Sequence, residues 1–522
     1  MRIERITPDE YTNLLESFPQ SPRPFQNPGY HAAWVRYHRN EYSLELLKIE
    51  DGERIFLVPL LLHKKQKGFP EYVVHFDSVS SDKGDSPDNF RIVFEALKQH
   101  KPLRIRIDAS LECPFPFDEI KNDKTVRIAE KTTYVIDLPE SFEEWFSSLQ
   151  SKSRQKLRKA EKLGVTIHRT GLEGLDSFSM MFYRRFFDND EMLSTWPEGF
   201  FKRLFSELPQ DKVFFYEAWM GNEVLSSLLV IISGKQCFAH SSVYKPTDGN
   251  TYSNYLLHAR VIEDLIEAGV NLYNFGGTGG VDTLGDFKRR LGAVEKKYQR
   301  LSWKNRWRSF VKRIKPPKLK KFVVEKHVMV VNTLDDSNQG RSGLPEGFEW
   351  RCLQKIEDLE KLIENDYVLK ARGPDGVKFF SEKIARKRIQ EKQAMFCLFR
   401  EKMLVCLRCA ALADSDPSED TIPPMELKRD EAYTWHGNTS SFFRSLGYYS
   451  MFHWSMVDFM KNEMGLRCTY AAVRADNTPA LRAQEKLGSI ITGTFYLVKW
   501  KKKYWSLGYK KALEKARETG KK

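Results

Sequence analysis

Polar and hydrophobic residues alternate with a period of two along several stretches of the chain. Two pairs of such stretches flank the turn formers Asp51-Gly52 and Gly221-Asn222, and a third pair turns at Arg400-Glu401-Lys402. Alternation on both sides of a tight turn is typical of a β-hairpin, because successive side chains of a strand point to opposite faces. The pattern therefore predicts three hairpins within larger sheets.

A change of period marks the stretch from Tyr244 to Ala293, around which the chain is organised. The strand-like run QCFAHSSVY leads into this stretch and ends at Lys245-Pro246, where proline removes a backbone donor. From Ser253 onward, apolar residues recur at the spacing of an amphipathic helix, and Gly269 ends this pattern. Ser253 is the predicted N-cap, because its hydroxyl can accept a hydrogen bond from a backbone N–H.

The second half of this stretch predicts a short buried strand from Val270 to Phe275 and then a sharp glycine-rich turn. A basic helix follows and carries Lys288, which we expect to face solvent. This order directs a helix N-terminus and a lysine toward one crevice, and both favour a bound anion. The alternative is an ordinary crossover helix with a solvated basic face. A dinucleotide site is not predicted, because Gly277-Thr278-Gly279 lacks the third glycine of that motif.

An internal repeat favours the anion-binding interpretation of this stretch over an ordinary crossover helix. Gly269 and Gly292 are 23 residues apart, as are Gly465 and Gly488, and the whole block recurs 196 residues later. A repeat at such a large offset indicates duplicated domains rather than a solenoid. We therefore expect two related folds along the chain.

Motifs in both blocks resemble the GNAT superfamily of acyltransferases. The run VRADNTPALRAQEKLGS is similar to the segment that joins the fifth strand to the last helix, and Arg444-Ser445-Leu446-Gly447 resembles the pyrophosphate-binding loop. In the first block, SKSRQKLRKAEKLGV and DFKRRLGA resemble the Fem-type branch, which includes peptidoglycan-bridge aminoacyl transferases and related acyl-CoA transferases. The resemblance covers roughly residues 20–305 as a Fem-like pair and roughly 345–500 as a further copy.

The fold class that this resemblance implies is α/β (α+β), with tandem GNAT-like N-acyltransferase folds whose mixed central sheets are flanked by helices. In such folds the fourth and fifth strands diverge, and the slot between them lets donor amide groups pair with backbone. Here QCFAHSSVY and NLYNFGG would flank that slot. The implied parts are a degenerate GNAT-like subdomain at 1–145, the active Fem-like subdomain at 146–302, a basic linker at 303–344, a C-terminal GNAT-like domain at 345–500 and a basic tail at 501–522.

The resemblance also implies residues that bind the acyl donor and the acceptor. Arg154 and Arg158 are i and i+4 on one helix, so they share a side and could hold a phosphate, although a solvated helix face also accounts for such charges. The other predicted binding residues lie in the loop and helix start of the first copy and in matching segments of the second: Gly249, Asn250, Tyr252, Ser253, Asn254, Asn274, Arg444, Gly447 and Asn477.

N-acyl transfer requires a base for the amine proton, donors for the tetrahedral oxyanion and accurate positioning. Asp282 is the candidate base, with Tyr273, Tyr252 and Asn274 as alternatives. Lys288 is assigned to a phosphate or to the developing oxyanion.

The C-terminal copy departs from the GNAT pattern. Gln484 stands where GNAT enzymes commonly place a tyrosine acid, and an amide cannot give up a proton at neutral pH. Ser489 replaces the phenylalanine expected after Gly488, and Tyr449 replaces a small residue beside the pyrophosphate loop. We therefore expect residues 20–305 to carry the chemistry and residues 345–500 to serve acceptor binding or structure.

The composition fits a folded protein of about three domains, with 522 residues, 41% of them hydrophobic and 13% aromatic. No bound cofactor or metal is expected, because the eleven histidines form no paired ligand motif, and Cys406 and Cys409 would point to opposite faces of a strand. No GxSxG elbow or GxxxxGKS loop occurs, which argues against hydrolases and nucleoside triphosphatases.

The net charge of +14 points to an anionic partner. Residues 303–322 contain nine Lys or Arg and no acid, and either an interfacial helix or a solvated linker would explain them equally well. Candidate partners are acyl-CoA, tRNA and a membrane surface that carries a lipid-linked precursor. The N-terminal sequence lacks an apolar signal, and the odd number of seven cysteines suggests reduced thiols, so we expect a cytoplasmic protein, either free or peripheral at the inner face of the membrane.

The predicted function is transfer of an acyl group from acyl-CoA, as co-substrate, to an amine of an amino sugar or peptide of a cell-envelope precursor. One alternative is an aminoacyl-tRNA-dependent transferase, as in Fem-type proteins. From a different class, the alternative is an inactive GNAT array that binds RNA or an anionic membrane.

Overall fold

The three predicted hairpins are present in the computed structural model, and they lie in two separate sheets. The structure describes residues 1–20, 22–38, 41–63, 70–84, 86–111, 125–186, 189–245, 251–305, 323–334, 344–369, 371–372, 378–415, 426–444, 446–500 and 503–520. The chain divides into two units, of which the first comprises Met1–Phe187 and Phe200–Lys315 and the second comprises Asp188–Gly199 and Pro316–Lys522.

Unit 1 contains one long mixed sheet with helices against it. Its strands are β1 Arg2–Arg5, β2 Tyr42–Asp51, β3 Arg54–His63, β4 Glu71–Val74, β5 Ser80–Ser81, β6 Arg104–Asp108, β7 Val126–Asp137, β8 Thr166–Thr170, β9 Val213–Met220, β10 Glu223–Ser233, β11 Gln236–Tyr244, β12 Leu272–Asn274 and β13 Val294–Lys304. The helices that begin up to residue 282 are α1 Pro8–Ser17, α2 Pro28–Tyr37, α3 Pro87–Gln99, α4 Phe142–Ser148, α5 Ser151–Lys162, α6 Leu175–Arg185, α7 Asp190–Thr195, α8 Glu198–Glu207, α9 Ser253–Glu267 and α10 Asp282–Arg290; of these, α7 and the first residues of α8 belong to unit 2.

Unit 2 contains the second mixed sheet. Its strands are β14 Val323–Thr333, β15 Phe348–Leu353, β16 Ala371–Arg372, β17 Lys378–Phe380, β18 Ala394–Arg400, β19 Met403–Ala411, β20 Glu431–Thr439, β21 Cys468–Arg474, β22 Ile490–Trp500 and β23 Lys503–Leu507. Its remaining helices are α11 Ile356–Glu364, α12 Glu382–Gln390, α13 Tyr448–Asn462, α14 Thr478–Lys486 and α15 Tyr509–Thr519. Strands β16 and β17 pair only with each other among the described residues.

The order of strands repeats between the two units. In unit 1 the order is β1-β2-β3-β4-β6-β13-β7-β12-β11-β10-β9-β8, and in unit 2 it is β15-β18-β19-β20-β21-β14-β22-β23. Seven strands therefore correspond one by one, from β8 with β15 to β13 with β22. In each set the pair in the middle, β11 with β12 and β20 with β21, is parallel and joined by one long helix. The predicted fold class of mixed sheets flanked by helices is confirmed.

The repeat extends to the backbone at the end of the block. Gly292 and Gly488 both have a positive φ, of 88° and 75°. Ala293 N donates to Lys288 O at 3.1 Å, and Ser489 N donates to Gln484 O at 3.0 Å, so both copies close their last helix in the same way. Lys288 and Gln484 thus occupy equivalent positions in the two copies.

Two predicted boundaries are wrong. Trp303 was expected to begin a basic linker, but it lies in β13 and is buried against Phe94, with ring centroids 6.4 Å apart. Strand β14 lies within the same predicted linker and is an inner strand of the second sheet. The predicted tail contains β23 and α15, whose Tyr509 and Ala516 are buried in the core of unit 2. These apolar patterns are short and lie between charged residues, so the composition of both stretches had suggested a linker and a tail. Residues 306–322 and 335–343 of the predicted linker lie outside the described part.

Candidate active site

The parallel pairing of β11 and β12 is short. Gln236, Cys237 and Phe238 pair with Leu272, Tyr273 and Asn274, and there β12 ends, whereas β11 continues to Tyr244. Within the described residues the two strands therefore separate beyond Phe238. This divergence matches the predicted slot between QCFAHSSVY and NLYNFGG.

A β-bulge in β11 changes the direction of one side chain at the start of this unpaired edge. On the other side of β11, Leu229 pairs with Ser241 and Val230 pairs with Ala239, so His240 is the extra residue. Bulges of this kind bend a strand and are frequent next to active sites. His240 Nε2 lies 3.4 Å from Tyr30 Oη, and His240 Nδ1 lies 2.9 Å from Ser241 Oγ. Burial among aromatic rings lowers the pKa of His240 to about 3, so its imidazole is neutral, although the side chain keeps some exposure.

Neither His240 nor Tyr30 was predicted as a site residue, and Tyr30 comes from α2 in the N-terminal subdomain. This subdomain therefore supplies a hydroxyl next to the bulge. His240 stands next to two serines in the run QCFAHSSVY, so its sequence context does not distinguish it, and the register of a bulge is set by the neighbouring strand.

Helix α9 begins beside the open edge of β11. Tyr252, with φ of 54°, precedes the helix, and Ser253 is its first residue, so the predicted Ser253 N-cap is wrong by one position. Ser253 Oγ instead lies 2.9 Å from Ser226 Oγ, and Asn254 Oδ1 accepts from Ser242 Oγ at 3.0 Å. These contacts hold the start of α9 against β10 and β11. The predicted Gly249 and Asn250 lie outside the described residues.

Two lysines of α5 lie beside the start of α9. Lys156 Nζ donates to Tyr255 Oη at 3.0 Å and lies 5.4 Å from the ring centroid of Tyr252. Lys159 Nζ lies 5.2 Å from the same ring. A helix N-terminus carries partial positive charge, so two ammonium groups beside it create a region that favours an anion.

Arg154 and Arg158 lie on the side of α5 that contacts α4. Arg154 Nη1 donates to Ser147 O at 2.8 Å and to Leu149 O at 2.7 Å, which are carbonyls at the end of α4. The Arg158 guanidinium lies 5.7 Å from the ring centroid of Phe146. Both arginines therefore link α4 to α5, and their role in holding a phosphate stays a prediction. Their spacing predicted a shared side but not which neighbour that side meets.

Lys288 is buried rather than facing solvent, with 4% of its surface exposed. Its Nζ donates to the carbonyl oxygens of Phe275, Gly276 and Gly277 at 3.0, 2.8 and 2.8 Å. These bonds use all three ammonium hydrogens, so no donor is left for a phosphate or an oxyanion. Desolvation lowers the pKa of Lys288 to about 8. Lys288 therefore acts as a brace for the glycine turn.

Asn274 supports the same turn. Its Oδ1 accepts from Thr133 Oγ1 at 2.7 Å and from Gly276 N at 2.8 Å. The side chain thus links β7 to the turn and is not directed at a ligand by these bonds. The turn beyond β12, which bounds the slot, is held from both sides.

The other predicted catalytic residues are separated. Tyr273 is fully buried, its Oη lies 2.7 Å from His258 Nδ1, and burial raises its pKa well above the ordinary value, so it cannot reach a substrate as an acid or base. Asp282 is exposed as the first residue of α10, where a carboxylate also favours the helix dipole. Its role as base stays a prediction.

The predicted residues of the C-terminal copy surround a crevice that side chains fill. Gly447, with φ of 85°, precedes α13, Arg444 Nε donates to Thr439 O at 3.0 Å, and Asn477 caps α14 by accepting from Ala480 N at 3.3 Å. Tyr449, 196 residues after Ser253, reaches back to β20. A Cβ added at Gly437 would lie 2.7 Å from Tyr449 Oη.

Polar contacts hold these side chains in place. The buried Arg408 donates to Tyr449 Oη at 3.0 Å and to Thr434 Oγ1 at 2.6 Å. Nearby, the buried Glu198 pairs with Arg400 at 3.0 Å and accepts from Tyr448 Oη at 3.0 Å. In the first copy, the residue equivalent to Tyr449 is Ser253, whose hydroxyl oxygen lies 2.9 Å from Ser226 Oγ.

No group of three or more His, Cys, Asp or Glu in the described ranges is arranged to hold a metal ion. Within the same ranges, no helix is long and apolar enough to cross a membrane.

Comparison with known proteins places a family within unit 1. Residues 147–289 match the acetyltransferase (GNAT) domain. The fold is similar to those of FemX (14% identity, TM-score 0.44, 57% of this chain and 97% of that one) and of the C-terminal domain of a putative lysylphosphatidylglycerol synthetase from Agrobacterium fabrum (12%, 0.38, 59% and 95%). It is also similar to L-PGS from Bacillus licheniformis (13%, 0.38, 59% and 96%). Comparison with curated proteins gave no match. The match over residues 147–289 agrees with the resemblance to GNAT acyltransferases in the sequence.

Proposed function

We propose that unit 1 transfers an acyl group from acyl-CoA to an amine acceptor, in the slot between β11 and β12. The observation that carries this proposal is that the parallel ladder ends after three residue pairs while β11 continues to Tyr244. The free length of β11 would pair with the amide groups of the donor arm. The start of α9, with Lys156 and Lys159, would bind the donor's phosphates.

The reaction is a substitution at a thioester carbonyl. The amine nitrogen forms a bond to the carbonyl carbon, the carbon–sulfur bond breaks, one amine proton is lost, and the leaving thiolate takes up one proton. His240 lies on the bulge at the point where β12 departs. Its two ring nitrogens contact the hydroxyls of Tyr30 and Ser241, so the neutral imidazole would orient these hydroxyls toward the incoming amino group. Asp282 is retained as the candidate base.

A direct test titrates the purified protein with CoA by calorimetry. We expect saturable binding that becomes about tenfold or more weaker in the Lys156→Ala/Lys159→Ala variant, because each charge-assisted phosphate contact contributes about 1.5–3 kcal/mol. Lys152→Ala/Lys162→Ala on the same helix is the matched control, since both side chains are exposed. Equal loss in the control, or no CoA binding by the parent, would overturn the assignment.

The donor remains to be distinguished from aminoacyl-tRNA, which uses an ester in place of the thioester. The same titration with charged tRNA separates the two, because saturation by tRNA without saturation by CoA selects the tRNA-dependent reaction. If neither donor binds, the inactive binding array is the better description.

We further propose that residues 345–500 do not bind a donor. Tyr449 covers Gly437 in the crevice where the first copy has Ser253, and Gln484 replaces Lys288 at the equivalent position. Gln484 is itself buried and accepts from Ser489 Oγ at 2.9 Å. These residues stabilise unit 2 and leave the chemistry to unit 1.

A further inference from the structure

The outer strands of the second sheet have one face that packs normally. Strands β14, β22 and β23 are adjacent, and Phe495 and Leu497 of β22 are buried. They pack in one cluster with Tyr509 and Leu513 of α15. Helix α15 therefore covers this side of the sheet edge.

The opposite face is apolar and exposed. Val324 pairs with Val498, which pairs with Trp505, and Tyr496 pairs with Leu507, so these side chains share one face. The exposed fractions are 59% for Val324, 42% for Tyr496, 44% for Trp505 and 61% for Leu507. We call this group, with Val498, the β22–β23 face.

Such a face departs from the usual pattern of an antiparallel sheet. When one side packs on a core, the residues on the other side are normally polar. A contiguous group of exposed aliphatic and aromatic side chains marks an interaction surface or a membrane contact.

Charge distinguishes the possible occupants of this face. From Tyr496 to Leu513 the chain contains six lysines and no acidic residue. The segment 306–322, which leads directly into β14, contains eight Lys or Arg and no acid. Lys326 is exposed on β14 beside Tyr496. Tryptophan and tyrosine with flanking lysines suit the boundary between lipid headgroups and acyl chains.

We propose that the β22–β23 face docks onto an anionic lipid surface. Its aliphatic and aromatic side chains enter the outer part of the bilayer, and the neighbouring lysines contact anionic headgroups. This docking would hold unit 2 at a membrane surface, and it does not depend on which acyl donor unit 1 uses.

Vesicle cosedimentation of the full chain tests the proposal. We expect binding to phosphatidylcholine vesicles that contain phosphatidylglycerol, weaker binding to pure phosphatidylcholine, and a decrease with salt because exposed charges are screened. The Tyr496→Thr/Leu507→Thr variant should bind about tenfold or more weakly, because two exposed apolar groups no longer enter the lipid. Threonine keeps the strand preference of these positions.

Leu172→Thr/Met220→Thr is the matched control, since these residues are 45% and 38% exposed in unit 1. Its vesicle binding should equal that of the parent, and circular dichroism should show both variants folded. Absence of vesicle binding, or unchanged binding by the Tyr496/Leu507 variant, would overturn the proposal. So would a lipid-free dimer that the same variant dissociates in sedimentation, because the face would then bind a second copy.

Discussion

A single position shows how the same backbone serves different chemistry in the two copies. Lys288 and Gln484 both precede the closing glycine by four residues and both are buried. Lys288 donates to three carbonyls of the glycine turn, whereas Gln484 joins Ser489 and Asn332 in a neutral network. The turn beyond β12 therefore depends on an ammonium group that is not repeated in unit 2.

This brace leads to a prediction for Lys288→Met. Removing the ammonium leaves three carbonyls without their donor, so we expect the free energy of unfolding to fall by about 2–4 kcal/mol. Urea denaturation measures this change. Arg290→Met is the control, because Arg290 is exposed on the same helix and its loss should cost little. An unfolding curve equal to that of the parent would contradict the bracing role.

At the scale of elements, the start of the helix that follows the splayed strand differs between the copies. Ser253 contacts Ser226 of β10, with their hydroxyl oxygens 2.9 Å apart, whereas Tyr449 extends over Gly437 of β20 and is held by Arg408. Helix, strand order and parallel pairing are otherwise the same. The first copy therefore has a small side chain at the position where the second copy has a large one.

This difference predicts the number of donors per chain. Native mass spectrometry with CoA should show one molecule bound, and Ser253→Tyr should remove it because the ring would enter the slot. Since Ser253 is buried, circular dichroism must show that this variant is folded. Tyr449→Ser is the matched exchange and should leave that one binding event intact. Two bound molecules in the parent, or loss of binding in Tyr449→Ser, would show that unit 2 binds a donor.

At the scale of the whole molecule, several histidines are buried in a neutral state. Desolvation lowers the pKa of His31 to about 4 and the pKa values of His240 and His258 to about 3. These groups take up protons near their ordinary pKa of 6.5 only after unfolding. The unfolded state therefore binds more protons between about pH 3 and pH 6.5, and stability must fall as the pH decreases through this window.

We expect each such histidine to reduce the free energy of unfolding by about 2 kcal/mol between pH 7 and pH 5. Urea unfolding at the two pH values measures the total. In His258→Gln, the decrease in the free energy of unfolding between pH 7 and pH 5 should be smaller by the contribution of one buried histidine. The exchange His168→Gln should leave this decrease unchanged, because His168 is exposed. Equal pH dependence in the parent and in His258→Gln would contradict the prediction.

The hairpins, the duplicated GNAT-like block and the helix start beside a polar loop could all be predicted from the amino-acid sequence. These follow from local periodicity, turn chemistry and the spacing of glycines, which neighbouring residues fix. The spacing of Arg154 and Arg158 likewise predicted that they share one side of a helix. None of these features requires knowledge of distant contacts.

The contacts of individual side chains, in contrast, depend on how distant elements pack. Arg154 and Arg158 turn toward α4, Lys156 and Lys159 turn toward α9, and Lys288 is enclosed by the turn it braces. Tyr30 contacts His240, which lies 210 residues later in the chain. Strand β14 belongs to the second sheet, although the basic residues before it had suggested a linker. Periodicity fixes the side of an element on which a residue lies, but packing of elements far apart in sequence fixes its partners, its burial and therefore its chemistry.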